Sequence, residues 1–235
     1  MKNMLTRLFI LLVAFYFVSC KKNNANVNPV NPPLTTGMKT YLALGDSYTI
    51  GQSVAEADRF PNKTVAILNN LGKNVSAPTI IATTGWTTTN LLATLQANPP
   101  STNYSFVTLL IGVNNQFQGK SLDEYKTEFA LLLQKAIQYA GGKKDRVFIL
   151  SIPDYSVTPF AQNSDTARIA REIDEFNAAN KSITLSNGVK YLDITPISRE
   201  GRSDNTLQAN DGLHPSGKQY QRWADLLAPL IAAVL

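Results

Sequence analysis

The sequence predicts an α/β domain, a three-layer α/β/α sandwich around a parallel sheet of roughly five strands. Short apolar runs rich in β-branched residues alternate with helical patterns along residues 39–235. One of these runs, YSFVTLLIG at 104–112, is almost continuously apolar, as expected for a strand that is buried on both faces. Because strands that alternate with helices are joined by right-handed crossovers, the sheet is expected to be parallel and covered on both sides.

The first half of the domain contains three predicted strands and two predicted helices. KTYLALGDS (39–47) is a strand that runs into a turn, and FPNKTVAILNNLGK (60–73) has helical spacing and a glycine near its end. APTIIAT (77–83) is the second strand. It is followed by a helix in TTTNLLATLQANPP (87–100), which threonines open and prolines close. The third strand, at 104–112, comes next.

The second half contains two predicted strands and three predicted helices. The segment 121–142 begins with a Ser-x-x-Glu capping box and ends at two glycines, which predicts a helix. RVFILSIP (146–153) is the fourth strand, and a helix from about 165 to 182 precedes the fifth, GVKYLDI (188–194). The last helix, 215–235, starts with a proline, which we place in the first turn because its missing N–H costs nothing there.

The N-terminal segment 1–19 resembles a bacterial lipoprotein signal. Lys2 and Arg7 precede an apolar run at 8–18, which is too short for a stable membrane-spanning helix. The resemblance makes Cys20 the acylated first residue of the mature protein; an ordinary cleaved signal peptide is the alternative. In either case we expect an exported protein. With lipidation, it is anchored to the bacterial cell envelope, facing the periplasm or the cell surface.

The segment after Cys20 is rich in Asn and Pro and poor in apolar groups, which predicts a flexible tether. We therefore divide the chain into a signal peptide at 1–19, a lipidated cysteine with its tether at 20–38, and one domain at 39–235. That length is sufficient for a single hydrophobic core.

The composition excludes several classes of site. With one cysteine there can be no internal disulfide, and with one histidine there can be no ordinary cysteine- or histidine-based metal cluster, so no metal is expected. The chain carries a net charge of +5, but its basic residues are scattered among acidic ones. This distribution disfavours nucleic acid as a partner.

Five polar or glycine residues are predicted to meet at one edge of the sheet. Ser47 follows the first strand, Gly85 the second and Asn114 the third, while Asp211 and His214 lie between the fifth strand and the last helix. Sites in such sheets form at the carboxyl ends of the strands. Taken singly, each of these residues is also ordinary turn or loop chemistry.

The chemistry of these residues fits nucleophilic catalysis. A serine hydroxyl is a weak nucleophile until a neutral imidazole accepts its proton, and the imidazole needs a carboxylate to orient it. Asp211-x-x-His214 in a tight turn can bring the carboxylate to the near ring nitrogen and leave the far one for Ser47. Since His214 is the only histidine, any histidine chemistry must use it. Gly85 could aim a backbone N–H at a ligand, and Asn114 could donate from its side chain.

In combination, these residues resemble the SGNH hydrolases, also called GDSL esterases and lipases. The matching residues are Gly-Asp-Ser at 45–47, Gly85, Gly-Val-Asn at 112–114 and Asp-Gly-Leu-His at 211–214. The resemblance covers essentially all of residues 40–235. It implies a flavodoxin-like SGNH hydrolase fold and hydrolysis of carboxylic esters without a cofactor.

The resemblance also implies a role for each residue. Ser47 would be the nucleophile, His214 the general base and then acid, and Asp211 the carboxylate that orients it. The oxyanion hole would consist of the N–H groups of Ser47 and Gly85 and the side chain of Asn114. The chain departs from the family pattern at Asn115, where the family usually has Asp. An amide keeps the hydrogen bonds but not the charge, so this departure affects the surroundings of the site rather than the mechanism.

The resemblance leaves the substrate open, because family members cleave sugar acetates, lysophospholipids, thioesters and aryl esters. We therefore expect a small-molecule, glycan or lipid ester as partner. The loop 152–160 leaves the fourth strand at the same edge, and Trp86 is next to Gly85. Their side chains are either pocket candidates or loop packing; the candidates are Trp86, Tyr155, Thr158 and Phe160.

Two other functions remain open at this point. One is a non-catalytic envelope lipoprotein that binds glycans or lipids on the same fold, and the other is an exported serine peptidase or amidase with the same triad. An α/β-hydrolase site is disfavoured because the sequence contains no G-x-S-x-G motif.

Overall fold

Five parallel strands form the central sheet of the computed structural model, which describes residues 37–235. The strand order is β2-β1-β3-β4-β5, and the strands are β1 (Tyr41–Gly45), β2 (Thr79–Ala82), β3 (Phe106–Leu110), β4 (Val147–Leu150) and β5 (Lys190–Leu192). The predicted α/β class and parallel five-stranded sheet are confirmed. The predicted signal peptide, the lipidated Cys20 and nearly all of the predicted tether lie outside the described residues.

Helices cover both faces of the sheet. They are α1 (Ser47–Ile50), α2 (Phe60–Asn70), α3 (Thr88–Ala97), α4 (Val113–Phe117), α5 (Leu122–Tyr139), α6 (Thr166–Ser186), α7 (Thr195–Arg199) and α8 (Gly217–Ala232). α2 packs against α8, whereas α5 packs between α3 and α6, which gives the two outer layers. No helix within residues 37–235 is long and apolar enough to cross a membrane.

The core lies on both sides of the three central strands. Every residue of β1, β3 and β4 is buried, whereas the edge strands β2 and β5 are partly exposed. The Tyr41 and Phe106 rings stack with their centroids 4.4 Å apart, and the Trp223 side chain of α8 is fully buried. Burial on both faces explains the continuous apolar run of β3.

The start of the last helix differs from the prediction. Pro215 does not lie in the first turn; it precedes Ser216, whose Oγ accepts a hydrogen bond from the Gln219 N–H and caps α8. Pro215 instead forms an isolated bridge with Gln208. A serine is the better cap because its oxygen satisfies an N–H that the first turn leaves without a partner. The helix therefore begins at Gly217.

Candidate active site

Ser47 is presented by the sharp turn between β1 and α1. It is the first residue of α1 and only 4% exposed, and the Asp46 Oδ1 atom accepts the Tyr48 N–H at 3.0 Å to cap the helix. Gly45 permits the turn, because a Cβ atom there would collide with the Leu110 carbonyl oxygen of β3 and the Thr49 side chain. The turn therefore holds Ser47 at the carboxyl end of the sheet.

The Asp46 carboxyl beside the candidate nucleophile is fully buried. Burial raises its pKa to about 7, although the Tyr48 N–H lowers it in part. Its Oδ2 atom has no hydrogen-bond partner among the described residues. Asp46 is thus a capping residue that changes its charge near neutral pH.

His214 and Asp211 form a close pair in the loop before α8. Nδ1 of His214 lies 2.6 Å from Oδ2 of Asp211, and the His214 side chain is nearly buried. The Asp211 Oδ1 atom accepts the N–H groups of Leu213 and His214 at 2.9 and 3.0 Å, which closes the turn. The carboxylate thereby fixes both the backbone and the ring of the histidine, and it leaves the other ring nitrogen available.

A further residue, Ser53, contacts the same carboxylate. Its Oγ donates a hydrogen bond to Oδ2 of Asp211 at 2.6 Å. Burial alone would raise the pKa of Asp211, but the hydrogen bonds from Ser53, Leu213 and His214 outweigh it and hold the pKa well below its ordinary value. Asp211 is therefore an anion at neutral pH.

A pocket of about 120 Å³ brings four of the five candidate residues together. Ser47, Gly85, Asn114 and His214 line it, and Asp211 contacts it through His214. Within the described residues, Ser47 and His214 share the pocket without a hydrogen bond between their side chains. Such catalytic contacts are often long before substrate binds.

The loop that contains Gly85, one of the candidate oxyanion donors, is held by two side-chain amides. Asn114 donates from Nδ2 to the Trp86 carbonyl at 3.1 Å, and Gln118 donates from Nε2 to the Gly85 carbonyl at 3.1 Å. Gly85 has φ +81°, which favours glycine. Neither the Ser47 N–H nor the Gly85 N–H donates to another described residue. Both are available to a ligand in the pocket.

Asn115 lies away from the pocket and supports α3. It is fully buried, and its Oδ1 accepts the Thr88 N–H at 3.0 Å while its Nδ2 donates to Thr88 Oγ1 at 2.6 Å. Thr88 Oγ1 in turn donates to Glu128 of α5 at 2.5 Å. An aspartate could not donate to Thr88, so the amide at this position matches the neighbouring carboxylate of Glu128.

Two of the four predicted pocket residues line the pocket and two do not. Tyr155 and Phe160 line it. Thr158 lies behind Tyr155, where its Oγ1 donates to the Tyr155 carbonyl at 2.7 Å, and the Trp86 ring packs against the core. Thr158 instead lines a small neighbouring cavity that His214 also lines, and the roles of Thr158 and Trp86 in substrate binding stay predictions.

Several pocket residues were not identified from the sequence. Their common feature is that they adjoin a candidate residue in the chain or follow one by a helical turn: Tyr48, Thr84, Val113, Phe117 and Leu213. Their position next to the motifs is a signal that could have been used. Ser53 carries no such signal, since it is 158 residues from Asp211. Residues 37–235 contain no group of three or more His, Cys, Asp or Glu side chains suited to a metal ion.

Comparisons with known proteins agree with this architecture. The sequence model of the GDSL-like Lipase/Acylhydrolase family matches residues 43–222, and no curated protein matches the chain. The structure of TesA matches with a TM-score of 0.65 and 18% identity over 84% of this chain and 100% of TesA. The acetylxylan esterase Axe2 from Geobacillus stearothermophilus gives 0.65 and 17% over 82% and 94%. The lipase Lip_vut3 from a goat rumen metagenome gives 0.66 and 21% over 82% and 97%.

Proposed function

Because the chain belongs to the GDSL-like lipase/acylhydrolase family, we propose that it hydrolyses carboxylic esters with Ser47, His214 and Asp211 as its catalytic triad. The observation that carries this proposal is the 2.6 Å contact between Asp211 Oδ2 and His214 Nδ1, together with the pocket that His214 shares with Ser47. A histidine oriented by an anionic carboxylate is the base that a serine nucleophile requires.

In the first half of the reaction, Nε2 of His214 accepts the proton of the Ser47 hydroxyl as Oγ attacks the carbonyl carbon of the ester. The carbonyl oxygen becomes an oxyanion, which the N–H groups of Ser47 and Gly85 and the Nδ2 of Asn114 stabilise. The bond to the alcohol oxygen then breaks, and His214 returns the proton to that oxygen. The alcohol leaves, and the acyl group stays on Ser47.

In the second half, water replaces the alcohol. His214 accepts a proton from the water as its oxygen attacks the acyl carbon, and the bond to Ser47 Oγ breaks. Ser47 regains its proton from His214, and the carboxylic acid leaves. Asp211 remains an anion throughout and stabilises the imidazolium of each step.

The size of the pocket supports a short acyl group. Its volume of about 120 Å³ is below the roughly 150 Å³ of an engineered cavity that holds benzene, which corresponds to an acyl group of about six carbons or fewer. Val113, Phe117 and Leu213 give it an apolar lining. The name of the structural neighbour Axe2 describes hydrolysis of such a short acyl ester, an acetate.

Hydrolysis of p-nitrophenyl esters from acetyl to palmitoyl by the purified full-length chain tests the proposal. We expect activity that is highest for short acyl groups and that Ser47→Ala and His214→Ala each reduce by at least about a thousandfold. Ser186→Ala, at an exposed serine, is the matched control. A matched p-nitroanilide separates an esterase from an amidase.

Each outcome has a defined meaning. Activity that persists in Ser47→Ala would contradict the triad, and activity that rises toward palmitoyl would contradict the assignment of short acyl groups. Faster cleavage of the anilide than of the ester would favour the amidase. If the folded chain hydrolyses none of these compounds, the protein is not the proposed esterase, and the glycan- or lipid-binding function becomes the alternative.

A further inference from the structure

A second cavity of about 490 Å³ lies next to the catalytic pocket. The two share Phe117, Tyr155 and Phe160, so these three rings form a common wall. The other side chains that line the second cavity are of two kinds. Gln116, Lys120, Arg168, Glu172 and Glu175 are polar or charged, whereas Leu122, Ile169 and Phe176 are apolar. Its volume falls within the range of about 300–1,000 Å³ that is usual for small-molecule sites. We call it the polar cleft.

The common wall presents exposed aromatic surface at the junction of the two cavities. The Phe117 and Phe160 ring centroids are 6.0 Å apart, and the two side chains are 55% and 51% exposed. Exposed apolar side chains that rim a cavity mark a binding surface. The negative face of an aromatic ring attracts positively polarised C–H groups, such as those on one face of a sugar.

A chain of hydrogen bonds runs from this wall into the polar cleft. Tyr155 donates from its hydroxyl to Gln116 Oε1 at 2.9 Å, and Gln116 donates from Nε2 to Glu172 Oε2 at 2.7 Å. Arg168 contacts the other Glu172 oxygen at 3.3 Å. Tyr155 and Gln116 are nearly buried, so the base of the polar cleft is a fixed polar surface.

Both cationic side chains that line the polar cleft already have acidic partners. Lys120 pairs with Glu124 at 3.2 Å and Arg168 with Glu172 at 3.3 Å. A phosphate or carboxylate would find cations that already have partners. A long acyl chain would bury charged groups without replacing their hydrogen bonds. A neutral polyhydroxylated ligand fits better, because each hydroxyl both donates and accepts.

Resting on the proposed ester hydrolysis, we propose that the polar cleft binds the neutral carbohydrate that carries the ester. The short acyl group occupies the pocket beside Ser47. The sugar attached to the ester oxygen lies against Phe117 and Phe160, and the next sugar units enter the polar cleft toward Arg168 and Lys120. The substrate is thus an acylated neutral oligo- or polysaccharide.

Binding of unacylated sugars tests this assignment without requiring hydrolysis. The full-length Ser47→Ala variant is titrated with xylotetraose and with cellotetraose, and tetragalacturonate and lysophosphatidylcholine serve as the acidic and the lipid comparison. We expect a neutral tetrasaccharide to bind, and Arg168→Gln or Lys120→Gln to weaken that binding by about two- to tenfold, the loss of one hydrogen bond. Arg171→Gln and Lys126→Gln are matched controls, since neither residue lines the cleft.

Activity provides the second measurement. The acetylated form of the sugar that binds is compared with p-nitrophenyl acetate, and the ratio of the two kcat/KM values is followed. We expect Arg168→Gln to lower this ratio by about two- to tenfold, mainly through KM of the sugar ester. A substitution that merely disturbed the fold would lower both rates and leave the ratio near its original value.

The outcomes separate this inference from the proposed function. If p-nitrophenyl acetate is hydrolysed through Ser47 but neither sugar binds, or the ratio does not change in Arg168→Gln, the carbohydrate assignment is overturned and the esterase remains. Tighter binding of the acidic sugar or the lysolipid also overturns it. If a neutral sugar binds in the cleft but no ester is hydrolysed, the proposed function fails and the cleft stands as a sugar site.

Discussion

Ser53 donates its hydroxyl proton to Asp211 Oδ2 at 2.6 Å, the same oxygen that faces His214 Nδ1. Ser53 has φ +66°, a left-handed conformation that costs a residue with a side chain about 1 kcal/mol or more. The turn after α1 therefore holds an unfavourable backbone conformation at a residue that contacts the carboxylate. We infer that Ser53 positions Asp211 and thereby His214.

Replacing Ser53 tests this role. We expect Ser53→Ala to lower kcat by about three- to tenfold with little change in KM, because a hydrogen bond to a partly exposed carboxylate is lost. Ser53→Gly is the matched variant, since it lacks the same hydroxyl but relieves the backbone. Equal loss of kcat in both variants assigns the effect to the hydroxyl, whereas recovery in Ser53→Gly would show that the backbone, not the hydrogen bond, is responsible.

Asn114 and Gln118 offer a test of the oxyanion hole. Both hold the loop that contains Gly85, but only Asn114 also lines the pocket. We expect Asn114→Ala to lower kcat by about a hundred- to a thousandfold, the usual effect of losing one oxyanion donor. Gln118→Ala removes only loop support and should cost less than about tenfold. Similar losses in steady-state kinetics would show that Asn114 acts through the loop alone.

The sheet and the position of the site could be predicted because each element carries its own signal. β1 to β5 and their helices differ in hydrophobic period, and a parallel sheet places the ends of its strands at one edge. Ser47, Gly85 and Asn114 each lie within four residues of the end of a strand, so their common pocket follows from topology. Their catalytic roles stay predictions that the variants above test.

The features that could not be predicted from the sequence depend on contacts that the local sequence does not encode. Ser53 meets Asp211 across 158 residues of chain, and only the folded loops bring them together. Thr158 and Trp86 were assigned to the pocket from their place in the chain, but the direction of a loop side chain depends on each backbone turn. The capping of α8 by Ser216 rather than an opening at Pro215 is a similar case.

Asn115 and Glu128 are coupled through one hydroxyl, and this coupling predicts the effect of restoring the family's usual aspartate. In Asn115→Asp, the introduced carboxylate and Glu128 would compete for the single Thr88 Oγ1 proton in a buried site. We expect a loss of about 1–3 kcal/mol in the free energy of unfolding, measured with urea. The second substitution Glu128→Gln, combined with Asn115→Asp, supplies a donor to Thr88 Oγ1 and should recover part of the lost stability. Strictly additive effects in this double-mutant cycle would contradict the coupling.

Cys20, outside the described residues, is the residue on which the expected envelope location depends. We propose that it is acylated, since it is the only cysteine and follows a lipoprotein-like signal. Radioactive palmitate fed to expressing bacterial cells should label the chain, and Cys20→Ala should remove the label and release the protein from the membrane fraction. Equal labelling of both chains would refute the anchor.

The raised pKa of Asp46 predicts how the stability of the folded protein depends on pH. Its pKa is about 7 in the folded protein against an ordinary value of 3.8, so between these values the folded state holds a proton that the unfolded state has released. The contribution of Asp46 to the free energy of unfolding therefore falls as the pH rises from about 4 to about 7. Above pH 7 this contribution stays nearly constant. Asp46→Asn keeps the oxygen that accepts the Tyr48 N–H but cannot ionise.

Urea midpoints at pH 5, 6, 7 and 8 check this sign. Relative to Asp46→Asn, the unsubstituted chain should lose stability between pH 5 and pH 7 and change little between pH 7 and pH 8. Asp225→Asn, which makes the same chemical change at an exposed position, is the control for other titrating groups. A difference that stays constant, or that grows in favour of the unsubstituted chain with rising pH, would show that Asp46 is ionised throughout and that the cap of α1 carries a buried charge beside Ser47.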